Sequence, residues 1–248
     1  MSASPSSTKA TTAASATGAA PFWRLVLAQT RAELLMTLRR GESLLITLFI
    51  PIGLLVFFSS VKITGVSVNF LTPGVLALAI MSTGMVSLGI ATAYERFYGV
   101  LKRLGASPLS RAGLILAKTL SVIVIEIGQV ALLSLIAALF LDWRPTGNFF
   151  LFLLVCLLGT GAFCGLGMLM AGANGLYLLF VLIGGTVVPI SALPPVIQQI
   201  AYVLPSAALS DALYGSLNAN AFHAWSLLSL IAWGIVFLVG AALTFKWE

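Results

Sequence analysis

The chain has 248 residues; 60% are hydrophobic, 8% are charged, and the mean hydropathy is +1.09. Soluble domains carry roughly 45–50% apolar and about 25% charged residues, so a water-soluble globule, a nucleic-acid binder and a disordered protein are all excluded. The formal charge of +6 comes without a dense basic stretch, and basic residues scattered through so apolar a chain encode membrane orientation.

Residues 1–20 are nearly all Ser, Ala and Thr, with one Lys and no bulky apolar residue. Such a segment cannot bury enough surface to fold. It also lacks the apolar core of a secretory signal, so a disordered, uncleaved tail is expected. Residues 21–42 differ. Trp23, Val26, Leu27, Thr30, Leu34 and Leu38 recur at helical spacing, accompanied by Arg24, Arg31, Arg39 and Arg40. This predicts an amphipathic helix lying on the inner membrane face, as a simple anchor or with a mechanical role.

Residues 43–248 form the membrane domain. A helix needs about 20 apolar residues to cross a bilayer, and uncharged apolar runs predict six spans: 44–61, 73–93, 119–141, 149–171, 176–190 and 224–245. The fifth is short and ends at Gly184, Gly185 and Pro189, so it is expected to kink or leave the membrane early. With the N-terminus inside, eleven Lys and Arg residues fall on the inner side, and only Lys62 and Arg144 fall outside. The expectation is therefore a multi-pass plasma-membrane protein with both termini cytoplasmic. The four residues 172–175 predict a tight hairpin between spans four and five. Between spans five and six, Val196, Ile197, Ile200 and Leu204 form one apolar stripe, Leu209, Leu213 and Leu217 form another, and Pro205 separates them. Two short external re-entrant helices fit that pattern. The fold class is thus an all-α polytopic membrane protein.

Only Glu126 places a charge inside a predicted span, at an insertion cost of at least about 2.5–3.5 kcal/mol. It should face protein or water, or be protonated. Gln129 lies three residues on, on the same helix face, and can share a hydrogen bond with it. The pair is either a polar contact between helices or part of a translocation path. Gly161 and Gly165 have the GxxxG spacing that lets helices approach closely. Cys156 and Cys164 are eight apart, about 12 Å along a helix, which is too far for a disulfide; both read as small packing residues. The single His223 cannot make a histidine metal cluster, and the seven acids stand singly, so no metal site and no catalytic site are expected. A phosphate loop needs Gly before its Lys. The residues before the five lysines are Thr8, Val61, Leu101, Ala117 and Phe245, so the chain has no ATPase motif of that kind.

The one sizeable inner loop, residues 94–111, is the most informative segment. Phe97, Val100, Leu101 and Leu104 predict one apolar face of a short helix, stopped by Gly105 and Pro108. A helix of this kind needs a partner or lipid. Glu95-Arg96-Phe97-Tyr98-Gly99-Val100-Leu101-Lys102-Arg103-Leu104, followed by Ser107-Pro108-Leu109, resembles the ABC type-2 exporter permeases. That family typically shows Glu-Arg, then Gly-Thr-Leu-Lys-Arg-Leu, then Thr-Pro-Leu. Val100 and Ser107 both stand here where Thr is usual. The Lys-Arg-Leu form looks most like the drug-resistance branch of daunorubicin-type exporters. Pro189 through Leu193, Pro194 and Pro195, followed by Leu204-Pro205, is similar to the family's Pro-x-x-x-Leu-Pro segment.

The resemblance covers about residues 22–248. It implies a membrane permease that exports a drug, lipid or other amphipathic substrate and pairs with a separate ABC ATP-binding subunit. A second permease subunit, itself or a paralogue, would complete the pathway. ATP and Mg would sit on the partner, and no cofactor on this chain. The segment Glu95–Ser107 would be the coupling helix, and external helices near Pro189–Leu217 (with Pro189, Leu193, Pro194 and Pro205) would cap the exit. Two rival readings remain: an ATP-independent six-span carrier or channel using Glu126 for proton coupling, and an intramembrane enzyme depending on His223.

Overall fold

A computed structural model describes residues 21–61, 67–170, 175–186, 189–218 and 223–245. The expected tail 1–20 and the tip of the hairpin at 171–174 lie outside them. Among the described residues every element is helical: α1 (Phe22–Arg39), α2 (Gly41–Val61), α3 (Val68–Met81), a π-helical turn (Ser82–Ser87), α4 (Leu88–Phe97), α5 (Val100–Gly105), α6 (Arg111–Phe140), α7 (Phe149–Leu169), α8 (Gly175–Ile183), a 3-10 turn (Ile190–Ala192), α9 (Pro195–Val203), α10 (Pro205–Leu217) and α11 (Ala224–Thr244).

Among the described residues, four continuous helices are long and apolar enough to cross a membrane: Val68–Phe97, Arg111–Phe140, Phe149–Leu169 and Ala224–Thr244. The first and second overrun their predicted bounds of 73–93 and 119–141, because runs free of charge stop short of Glu95 and Lys118. The helices do not stop there, since those two charges pair with each other. Within α2 the apolar stretch is Thr47–Ser60. α8 has nine residues, or about 14 Å of rise, and by itself is too short to cross a bilayer core of about 30 Å.

The centre of the bundle is α3, whose residues from Leu71 to Met81 are all buried. It packs against α2, α6, α7 and α10. α7 and α11 form another tight pair, and Gly165 is what lets them meet: a Cβ there would lie 2.8 Å from the backbone nitrogen of Leu238. Gly161 faces α11 more loosely, with Leu238 at 3.8 Å. The GxxxG spacing thus serves packing within the chain. Both cysteines are free and buried, as expected of packing residues.

The two helices predicted between spans five and six are present as α9 and α10, split at Pro205. They differ in burial. α9 exposes Val196, Ile200, Tyr202 and Val203. α10 buries Leu209, Leu213 and Leu217 against α3, α7 and α11, which makes it a core element. At the other end of the bundle, Val26 of α1, Leu101 of α5, Leu114 and Ala117 of α6, and Phe245 after α11 form one apolar cluster. The first and last described helices therefore converge on the same end.

Candidate functional site

The end where α1, α4, α5, α6 and α11 converge carries the densest chemistry. α1 packs along α6 through Val26, Thr30 and Glu33. Trp23, Leu27 and Leu38 of the predicted apolar stripe stay exposed, so the stripe divides between a protein-facing flank and an outward flank. Glu33 is buried because it meets Lys118, which has no exposed surface at all. Lys118 Nζ lies 2.9 Å from Glu33 Oε1 and 2.7 Å from both carboxylate oxygens of Glu95. Gln29 Nε2 also donates to Glu33 Oε1, at 2.9 Å. This ionic cluster ties α1, α4 and α6 together. It corrects two sequence readings: the acids do not all stand singly, and Glu126 is not the only charge inside a helix that can cross the membrane. Local hydropathy cannot reveal a pairing made between three separate helices.

The cluster positions the segment that follows. α4 ends at Phe97, and Gly99 turns the chain at φ 70°, a left-handed conformation that a residue with Cβ adopts only with strain. α5 then leaves at a new angle, so Phe97 to Leu104 do not form one helix. Leu101 is wholly buried in its own chain's apolar cluster, and Leu104 packs against that cluster. The predicted apolar face through Phe97, Leu101 and Leu104 is therefore divided, with Leu101 serving as the anchor beneath. Phe97 and Tyr98 are 82% and 68% exposed and touch edge to face. Arg96, Lys102 and Arg103 are exposed beside them. The outcome is a projection of two aromatic rings and three cations, with Glu95 and Leu101 buried beneath it. Ser107 Oγ donates to the Leu104 carbonyl and accepts from the Leu109 amide, closing the segment before α6. Ser110 caps α6 by accepting from the Gly113 amide.

The family model for the ABC-2 type transporter matches residues 24–218. The chain belongs to that family. It is also similar to "Putative transport permease YvfS" of Bacillus subtilis (strain 168), with 25% identity over 228 residues that cover 85% of this chain and 93% of that protein. This ABC-2 family protein is accordingly a multi-pass membrane component of a transporter rather than an enzyme. The family match runs from α1 through α10, so the ionic cluster and the projecting segment both lie within it.

Glu126 and Gln129 occupy α6, where they were expected to share a bond, and they part company. Gln129 Oε1 accepts from Thr83 Oγ1 of the π turn at 2.9 Å, and its Nε2 donates to the Thr47 carbonyl of α2 at 2.7 Å. It is a fastener between three helices. Glu126 turns toward α7, where Thr160 Oγ1 lies 2.6 Å from its Oε2 and 2.7 Å from the Cys156 carbonyl. A hydroxyl has one proton to give, so with Glu126 ionised Thr160 donates either to Oε2 or to the Cys156 carbonyl, not to both.

At the far end, Pro189 precedes the 3-10 turn, Pro194 precedes α9, and Pro205 is the first residue of α10. Gln198 Nε2 donates to the Leu193 carbonyl at 2.7 Å, bracing that corner. Pro189, Leu193, Pro194 and Pro205 thus frame the joints of α9 and α10. Nearby, Ser226 Oγ donates to Asp211 Oδ2, and His223 Nδ1 lies 3.4 Å from the same oxygen. Both groups converge on Asp211, so the histidine does not address the serine as a base would. No cluster of metal-ligating side chains exists among the described residues.

Proposed function

We propose that this chain is the membrane half of an ATP-driven exporter. It would carry a drug, lipid or other amphipathic compound across the plasma membrane along six crossings, with both termini cytoplasmic. ATP and Mg are bound by a separate ABC ATP-binding subunit, and a second permease subunit, identical or paralogous, completes the pathway. The observation that carries this reading is the projection at Phe97, Tyr98, Lys102 and Arg103. Exposed aromatics ringed by cations suit an interface, the apolar groups giving affinity and the charges register. Its footing on Glu95–Lys118–Glu33 and Leu101 would pass a push on the projection directly into α1 and α6. The caps at Pro189, Leu193, Pro194 and Pro205 would then close or open the exit.

The test is affinity purification in mild detergent from the native host, with mass spectrometry of co-eluting chains. Co-elution of an ATP-binding protein, lost in Phe97→Ala and Arg103→Glu at unchanged thermal stability, supports the reading. Retention of that protein by both variants removes the coupling role from this segment. The rival carrier reading draws on Glu126, whose second oxygen lacks a partner among the described residues; it expects transport by this chain in vesicles without any nucleotide.

A further inference from the structure

Glu126 stands midway along the 30-residue α6, about 22 Å from either end at 1.5 Å per residue. Its side chain is buried, with 3% of its surface exposed. Oε2 meets Thr160, but Oε1 is buried with no hydrogen-bond partner among the described residues. Beside it α6 and α7 enclose a groove of about 250 Å³, walled by Ile127, Val130, Phe152, Leu153 and Leu157 together with Glu126. Ile127, Leu153 and Leu157 are exposed, so the groove opens on the outer surface of the bundle. Among the described residues, no Lys, Arg or His lines it.

We infer that this groove binds a lipophilic amine, with the ammonium group on Glu126 Oε1 and the apolar body along the groove. A buried carboxylate oxygen calls for a donor, and an ionised one also calls for positive charge. A lone water is poorly held there, because ordered water needs two to four polar partners and the wall is almost wholly apolar. An ammonium group supplies both charge and an N–H. Thr160 then donates to Oε2 while the ligand donates to Oε1, and both oxygens are satisfied. The volume falls just under the roughly 300–1,000 Å³ usual for ligand pockets, which suits a single alkyl or aryl amine. A phospholipid's amine is the wrong source, since headgroups sit about 15 Å from the bilayer centre. A second copy of this chain is the wrong occupant too: residues 119–141, 149–171, 176–190 and 224–245 contain no Lys or Arg to offer. The inference names a substrate class for the export reading and rests on that reading for its consequence in transport.

The experiment uses the full-length protein in nanodiscs of zwitterionic lipid. The probe is dodecylamine bearing a terminal diazirine, and the control is the corresponding dodecanol. After photolysis, labelled peptides are mapped by mass spectrometry. The amine should label 123–134 and 149–160 saturably, and the alcohol should not saturate there. Glu126→Gln should weaken amine labelling at least about tenfold, the worth of a charge-assisted hydrogen bond, while leaving labelling by the alcohol unchanged. Ala131→Phe fills the groove from an exposed position with Glu126 intact, and should lower amine labelling even if Glu126→Gln fails to fold. Equal amine labelling of the wild type and Glu126→Gln overturns the proposal. So does an unlabelled groove that instead cross-links to a second copy. The co-eluting ATP-binding subunit is scored in parallel: amine binding without such a partner sinks the export reading and leaves the site standing, while loss of the site with the partner retained does the reverse.

Discussion

Two buried carboxylate sites along α6, one contributed by its neighbours and one its own, have opposite outfits. At the α1–α4–α6 junction, Glu33 and Glu95 share Lys118, and Gln29 adds a further donor. In mid-helix, Glu126 has one hydroxyl and, among the described residues, no cation. The first site is complete within the chain, and its charges are spent on holding three helices together. The second is left half-satisfied where the cost of a charge is greatest. Burial of an acid therefore does not by itself say whether it serves architecture or a ligand; the inventory of partners does.

Removing the shared cation should have the largest effect. Lys118→Met leaves two carboxylates buried face to face, and breaking a buried pair costs about 3–5 kcal/mol. A large fall in the thermal midpoint of the detergent-solubilised protein is expected. The triple variant Lys118→Met, Glu33→Gln, Glu95→Gln should recover much of that loss, because no uncompensated charge remains. Equal melting of Lys118→Met and wild type would mean that the junction is not held by charge.

Leu101→Ala comes next. It removes a fully buried anchor and should cost about 2–5 kcal/mol in the same melting assay, so its effect on partner binding would follow from loss of structure. Phe97→Ala separates the two roles. It should leave the midpoint unchanged and weaken binding of the proposed ATP-binding subunit by about 2 kcal/mol, or about thirtyfold. Arg103→Glu should weaken it as well, with a loss that shrinks at high salt as charges are screened. Partner titration at two ionic strengths measures both.

Glu126→Gln should change stability far less than Lys118→Met or Leu101→Ala, by under about 1 kcal/mol, because Gln keeps a polar contact to Thr160 and no other described residue pairs with the charge. A loss as large as that of Lys118→Met would place Glu126 among the architectural acids and erase the contrast between the two sites.

Much of this arrangement was legible in residue order. Apolar runs located α7 and α11 almost to the residue, helical spacing located α1, and Pro205 separated α9 from α10. What stayed hidden was tertiary. Hydropathy read Glu95 and Lys118 as the ends of spans, although they lie 23 residues apart and close on each other as a bonded pair. The same blindness put Leu101 on a docking face: spacing groups residues by side of a helix, and Gly99 breaks the helix that would have made the grouping true. Gln129 looked like a companion of Glu126, but its partners come from α2 and the π turn, which no spacing rule along α6 could nominate.

The π turn at Ser82–Ser87 has its own bearing on the junction. A π turn accommodates an additional residue in an otherwise α-helical run, and one residue of α-helix corresponds to about 100° of rotation. The turn thus sets the phase between the upper and lower halves of the Val68–Phe97 helix. Thr83 addresses Gln129 in one phase, and Glu95 addresses Lys118 in the other. Forcing 82–87 into regular α-helix at its present length would swing Glu95 about 100° away from its lysine, whereas deleting one residue there would remove the turn and leave Glu95 facing Lys118. At the present length, it is therefore the widened turn that lets Thr83 meet Gln129 and Glu95 meet Lys118 along one helix.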